Sequence, residues 1–245
     1  MTLSAKRVLI TGGGSGAGAD LARGFAEAGA EVVISGRRAE ALKAVAEPLG
    51  ARWVTADVTD EGSVAAMFRD AGPCDIVIAN AGAADSAVMA KTTLAQWNAM
   101  IAVNLTGVFL TFREALGQFR GDGRLIAVAS TAGLKGYAKV APYAAAKHGV
   151  VGLVRSLALE VARKGITVNA ICPGFLDTPM TAHSVEVIAG KTGKSLAEAR
   201  ATLEGLSPQG RLYQPSEVTA AALYLASGAA SGVNGACLSI SGGEV

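Results

Sequence analysis

The sequence predicts a doubly wound α/β fold, one parallel sheet of about seven strands with helices on both faces. Three observations carry this. Short apolar runs rich in Val and Ile alternate with longer amphipathic stretches, the signature of right-handed βαβ crossovers. A glycine-rich turn, Thr11-Gly-Gly-Gly-Ser-Gly-Ala-Gly18, joins the first such run to the first helical stretch. The chain is 51% hydrophobic but only 5% aromatic, so Ala, Val, Leu and Ile must fill a core in which helices pack closely on a buried sheet.

In chain order, Arg7–Thr11 reads as a strand, and a helix follows the glycine turn from about Ala17 to Ala28. Glu31–Ser35 is the second strand, and the helix Arg38–Leu49 stops near Pro48-Leu-Gly50. Arg52–Thr55 is the third strand, followed by a helix from Asp60, its cap, to Asp70. Asp75–Ala79 is the fourth strand, and a long helical region covers Thr93 to Phe119. Arg124–Ala129 is the fifth, Ala141–Lys164 a second long helix, and Ile166–Ile171 the sixth strand. Pro215–Ala226 is a helix with proline at its start, and Cys237–Ile240 closes the sheet. Phe175 to Gln214 breaks the rhythm. It reads as a substrate lid or, alternatively, as a surface excursion. No linker, repeat or low-complexity tract divides residues 1–245, which form one domain.

A net charge of +2 argues against a general nucleic-acid or membrane surface. No stretch is expected to reach the roughly 18 apolar residues of a spanning helix. The N-terminal residues run straight into a strand, without room for a secretory signal, which points to the cytoplasm. Cys74, Cys172 and Cys237 are odd in number and widely spaced, so they read as reduced core thiols. His148 and His183 have no metal-ligating company, and no metal is expected.

Glycines in the first turn let the backbone approach a pyrophosphate closely, and the helix behind them offers free N–H groups and a positive dipole end. The spacing, with Gly12, Gly16 and Gly18 around Ser15, is neither G-x-G-x-x-G nor a P-loop. After the second strand comes Ser35-Gly36-Arg37-Arg38, with no acid for the ribose hydroxyls of NAD. Arginine suits the 2′-phosphate of NADP, since its planar fork donates several hydrogen bonds at once. NAD is the alternative cofactor, with Arg37 and Arg38 then solvated caps of the next helix. Tyr143 and Lys147 share a helix face at i, i+4, and Ser130 ends the fifth strand, at the sheet edge where ligands bind. An adjacent positive charge favours the phenolate of a tyrosine whose ordinary pKa is about 10.

T-G-x-x-x-G-x-G, Asn80-Ala81-Gly82 after the fourth strand, and Ser130 ahead of Tyr143-Ala-Ala-Ala-Lys147 together resemble the short-chain dehydrogenase/reductase family, over essentially the whole chain. Ala79 departs from the N-N-A-G common there. The resemblance implies a Rossmann-like domain in which Tyr143 is the general acid/base. Lys147 would lower its pKa and bind the nicotinamide ribose, and Ser130 would orient a carbonyl or alcohol. Asn104 matches the fourth member of the group, which bends its helix and helps hold a proton-relay water. Asp57-Val58 resembles the adenine-contacting pair, although Asp57 also reads as a turn residue. Pro173, Gly174, Leu176 and Thr178 resemble the segment that packs on the nicotinamide. Members use the two long helices and the C-terminal region as interfaces, which implies a homotetramer.

The texture is similar to the branch of 3-oxoacyl reductases, acetoacetyl-CoA reductases and 3-hydroxybutyrate dehydrogenases. It implies ketone–alcohol interconversion, on a 3-oxoacyl or 3-hydroxyacyl thioester or a 3-hydroxy acid. Gly210-Arg-Leu-Tyr-Gln-Pro-Ser-Glu-Val218 matches a motif of that branch that holds a helix start. Lys135 and Lys139 could attract the phosphates of an acyl thioester or be ordinary surface lysines. Phe175, Leu176, Met180 and Leu206 suggest a partly apolar pocket. A non-catalytic nucleotide sensor on this fold would be expected to lack the tyrosine or the lysine. An epimerase or dehydratase would be told apart by its product.

Overall fold

The strands are β1 (Arg7–Thr11), β2 (Glu31–Gly36), β3 (Arg52–Thr55), β4 (Ile76–Ala79), β5 (Gly123–Val128), β6 (Ile166–Pro173) and β7 (Cys237–Ile240), in a computed structural model that describes residues 2–245. They pair in parallel in the order β3-β2-β1-β4-β5-β6-β7. The helices are α1 (Gly16–Glu27), α2 (Ala39–Leu49), α3 (Glu61–Ala71), α4 (Leu94–Ile101), α5 (Gly107–Gln118), α6 (Ala141–Val161), α7 (Pro179–Thr192), α8 (Leu196–Glu204) and α9 (Pro215–Ala226).

Alternate strand residues serve opposite cores. Leu9, Val77, Leu125 and Val168 face α3, α5 and α6, while Val8, Ile10, Ile78 and Ile126 face α1, α2 and α9. Burial on both faces explains why these strands read as continuous apolar runs. Each fully buried Val, Leu or Ile contributes roughly 1.5–3 kcal/mol.

The winding reverses between β1 and β4, which opens a crevice beyond their carboxyl ends. Thr11 and Asn80 stitch this point. The Thr11 hydroxyl accepts from the N–H groups of Asn80 (3.1 Å) and Ala81 (3.0 Å). The Asn80 amide donates to the carbonyls of Thr11 (2.9 Å) and Gly12 (3.3 Å).

Three differences from the sequence reading have physical causes. First, β6 runs on to Pro173 because Pro173 stays in register with Ile240 and the Gly174 N–H donates to the Ile240 carbonyl at 3.0 Å. Second, the helix expected over Thr93–Phe119 is divided by a π-helical turn, Ala102–Thr106, between α4 and α5. Third, the run Leu94–Gln118 is long and apolar enough to cross a membrane by length and composition, contrary to expectation. In the fold, 44% of its most apolar window is buried, and Val108, Leu110 and Phe112 pack in the core beneath the sheet.

The excursion between β6 and α9 contains α7 and α8. It has its own small core of Val185, Ala199, Leu203 and Leu212, with Phe175 and Ile188 packed against it. Arg200 on α8 holds Asp177 at the excursion's root with two hydrogen bonds, 3.2 and 2.8 Å.

Candidate active site

The phosphate loop follows β1 directly. Gly12 takes φ +70°, and a Cβ there would lie 2.8 Å from the Ala81 Cα. A Cβ on Gly18 would strike the Gly12 carbonyl oxygen. These positions leave no room for a side chain, so β1, α1 and the β4 loop close into a tight cradle. Ser15 caps α1 in an extended conformation, and its side chain makes no capping bond. The first N–H groups of α1 therefore remain unsatisfied by a side chain, a donor set that fits a pyrophosphate. Thr178 approaches the same loop, with its Cβ 3.5 Å from where one on Gly16 would stand.

Around this cradle the sequence-predicted contacts are gathered unequally. Arg37 and Arg38 are exposed at the start of α2, behind Gly36, and no acid ends β2. The Asp57 carboxylate accepts from the N–H (2.9 Å) and hydroxyl (2.7 Å) of Thr59, which hold it below the usual carboxylate range, with Arg37 adding a smaller pull. It thus closes a turn, as the alternative reading of Asp57 had it. Val58 is buried, its side chain against Gly107. Tyr213 donates its N–H to the Phe175 carbonyl and accepts from the Asp177 N–H. That pairing directs the N–H and carbonyl of Leu176, between them, to the other side of the segment.

Beyond β4 and β5 a second group converges. Tyr143 and Lys147 lie one turn apart on α6, and the lysine nitrogen is 5.6 Å from the tyrosine ring centroid. Lys147 is buried and donates to the Val128 carbonyl at 2.8 Å. Ser130 caps the short turn Thr131–Gly133, which packs so closely on α6 that a Cβ at Gly133 would lie 2.7 Å from the Lys147 carbonyl. The Ser130 hydroxyl accepts from the Ala132 N–H at 3.1 Å and lies close enough to Tyr143 to favour its phenolate. Asn104, in the π turn, is fully buried. Its amide donates to the carbonyls of Ala83 (2.9 Å) and Met100 (3.1 Å) and accepts from the Ala83 N–H (3.2 Å). Asn104 and Lys147 both come within 4 Å of where a Cβ on Gly82 would stand, so Gly82 is the junction between the β4 loop and this group.

The sequence model for the family described as "Enoyl-(Acyl carrier protein) reductase" matches residues 12–244. A cis-4-hydroxycyclohexanecarboxylate dehydrogenase of Sinomonas cyclohexanicum is 43% identical, over 98% of this chain and 96% of its own. A D-beta-hydroxybutyrate dehydrogenase of Cupriavidus necator is 39% identical over 99% of both. The crystal structure of an actinorhodin polyketide ketoreductase variant with NADPH superposes at a TM-score of 0.93 with 37% identity, covering 100% of this chain and 99% of that one. The chain belongs to the short-chain dehydrogenase/reductase family. It is an oxidoreductase of that type, with a nicotinamide cofactor and a small-molecule substrate.

The electrostatics of this short-chain dehydrogenase/reductase follow from burial. Desolvation brings the Lys147 ammonium down to about 8. It also holds the Tyr143 phenol above its ordinary value, while the Ser130 hydrogen bond opposes the rise. The protein groups by themselves thus keep Tyr143 protonated near neutrality, with Lys147 turned to the Val128 carbonyl. Freeing the phenol's proton takes a further positive charge beside it. Cys172 is a buried neighbour of this group whose thiol burial pushes up to about 12, so it stays protonated. Cys237, expected in the core, is only partly buried on the edge strand β7.

Two expectations about the mouth change. Lys135 pairs with Glu244 at 2.9 Å, which neither reading of it had expected. Lys139 is exposed. Among the apolar residues, Phe175 packs on the lid core and Leu176 on the sheet, while Met180 and Leu206 stand exposed. Sequence reading missed Tyr137, Thr131 and Glu244, which form one hydrogen-bonded group beside Ser130. Glu244 lies more than a hundred residues away from its partners and carries no local pattern.

Proposed function

We propose that this enzyme interconverts a ketone and a secondary alcohol with NADP(H), with Tyr143 as the group that moves the proton. The observation that carries the reading is the convergence of Ser130, Tyr143 and Lys147 at the carboxyl edge of the sheet, next to the phosphate cradle. When bound, a nicotinamide cofactor would supply the hydride, and its oxidised form would add a positive charge to the site. In reduction Tyr143 gives its proton to the carbonyl oxygen, and Ser130 holds that oxygen by a hydrogen bond. Lys147, anchored on Val128, holds the cofactor's ribose and adds its charge to the stabilisation of the phenolate. Asn104 keeps the Gly82 loop against Lys147 through Ala83. Gly12, Ser15, Gly16 and Gly18 cradle the pyrophosphate, Arg37 and Arg38 take the 2′-phosphate, and Asp57 and Val58 border the adenine. Asn80, Ala81 and Gly82 form the floor, and Pro173, Gly174, Leu176 and Thr178 close over the nicotinamide.

The first substrate class is 3-oxoacyl compounds and 3-hydroxy acids, in keeping with the hydroxybutyrate dehydrogenase and the polyketide ketoreductase among the relatives. A small cyclic ketone is the second reading. The Lys135–Glu244 pair favours it, since that pair removes a cation that a thioester carrier would use. The protein is read as a cytoplasmic homotetramer, its three thiols unpaired and its surface bearing Phe109, Leu159 and Leu238. A monomeric mass in solution would overturn the assembly.

Tyr143→Phe tests the mechanism. It should lower kcat by roughly a hundredfold or more, the usual share of general acid catalysis, with the NADPH dissociation constant unchanged. Turnover at the wild-type rate would refute the role of the tyrosine.

A further inference from the structure

Ser130 and Tyr143 are joined by a loop that one remote carboxylate holds from behind. The Glu244 side chain is only 4% exposed, although it belongs to the segment that follows β7. Gly242 and Gly243, at φ +58° and +93°, turn that segment back on the sheet edge. One Glu244 oxygen accepts from the Tyr137 hydroxyl at 2.5 Å and pairs with Lys135 at 2.9 Å. A carboxylate can only accept, so the Tyr137 proton is committed to it. The 2.6 Å bond between Tyr137 and Thr131 must then run from the Thr131 hydroxyl to the Tyr137 oxygen. Thr131 directly follows Ser130, and its carbonyl accepts the N–H groups of Leu134 and Lys135. The other Glu244 oxygen lies 3.3 Å from where a Cβ on Gly174 would stand, at the root of the lid. The Tyr137 ring meets Phe175 edge-on, with centroids 6.4 Å apart.

We propose that Glu244 is a positioning residue for the reaction: its carboxylate ties the segment after β7 to the loop between Ser130 and Tyr143 and to the lid root, and so sets Tyr137 and Phe175 as a fixed wall for the substrate. Lys135 neutralises the carboxylate and keeps it from being an unpaired buried charge. The Tyr137 hydroxyl is engaged by Glu244 and Thr131, and the Lys135 nitrogen lies 5.0 Å from the ring centroid, so what this residue offers a substrate is mainly ring surface. The wall therefore favours carbonyl compounds whose flank beside the ketone is alkyl or alicyclic. This inference rests on the ketone–alcohol reading above.

The test uses the full-length enzyme as wild type, Glu244→Ala, Glu244→Gln, Tyr137→Phe and the Ala/Phe double variant. Each is assayed with NADPH and the carbonyl compound that wild type reduces fastest among acetoacetyl-CoA, cyclohexanone and a sugar ketone. Glu244→Ala should raise KM roughly tenfold while kcat moves less than about threefold, as expected when a hydrogen bond to a charged group is lost away from the reacting atoms. Tyr137→Phe should do the same, and the double variant should be no worse than either. Glu244→Gln, which keeps an acceptor for Tyr137, should recover much of the loss. Amide hydrogen exchange should quicken at residues 131–139 and 174–177 in Glu244→Ala, with the strands unaffected. Unchanged KM and exchange in Glu244→Ala, or additive effects in the double variant, would overturn the proposal. Should Glu244→Ala unfold throughout, Tyr137→Phe carries the same test. If wild type reduces none of the three compounds, the ketone reading fails, and the exchange result alone decides the tie.

Discussion

Tyr143 is a phenol that its surroundings hold in the protonated form, and that is the form a general acid for carbonyl reduction needs. Burial does this, and the same burial depresses Lys147 to about 8. The two shifts follow one rule, since a low dielectric disfavours a phenolate and an ammonium alike. Charge also bears on the proposed cofactor. Arg37 behind Gly36 offers charge-assisted hydrogen bonds to a 2′-phosphate, worth about 1.5–3 kcal/mol. Arg37→Ala should therefore weaken NADPH by roughly ten- to a hundredfold and leave NADH nearly unchanged, as measured by the quenching of protein fluorescence. Equal losses for the two would contradict the NADP assignment. These residues were legible in the sequence because each stands at a fixed offset from a strand end. Glu244 was not, because only the folded sheet edge brings it to Tyr137.

At the scale of elements, periodicity located every strand but could not see the π turn inside the long helix. A π turn needs one extra residue per turn, and no apolar pattern marks where it falls. Asn104 sits within it, and its buried amide donates to the Met100 carbonyl and pairs with Ala83 on both sides. Asn104→Ala would leave these groups buried and unpaired, at about 1–3 kcal/mol each. The melting temperature should fall by roughly 5 °C or more, as scanning calorimetry would show. An unchanged melting temperature would mean that the turn does not depend on this side chain. The excursion between β6 and α9 was legible as a break in rhythm. Its internal core was not, because Val185, Ala199 and Leu203 meet only after α7 and α8 fold back on each other.

Across the whole molecule, a parallel sheet that reverses its winding between β1 and β4 opens a crevice beyond its carboxyl edge, and the proposed mechanism is built there. The phosphate cradle lies on one side. Ser130, Tyr143 and Lys147 lie on the other, and the lid root spans the gap at Thr178. Composition and strand rhythm pointed to such a sheet, and motif spacing pointed to its carboxyl edge, whereas the proposed substrate wall draws on β5, β6 and the segment after β7. At this scale the proposal is that the crevice reduces a ketone with NADPH. Its most direct test is a panel of acetoacetyl-CoA, cyclohexanone and a sugar ketone, run in parallel with NADPH and NADH and with the product identified. A secondary alcohol is expected from at least one of the first two, with kcat/KM for NADPH at least about tenfold above NADH, the equivalent of one charge-assisted contact. Consumption of neither cofactor with any of the three, or a product that still carries the ketone, would contradict it.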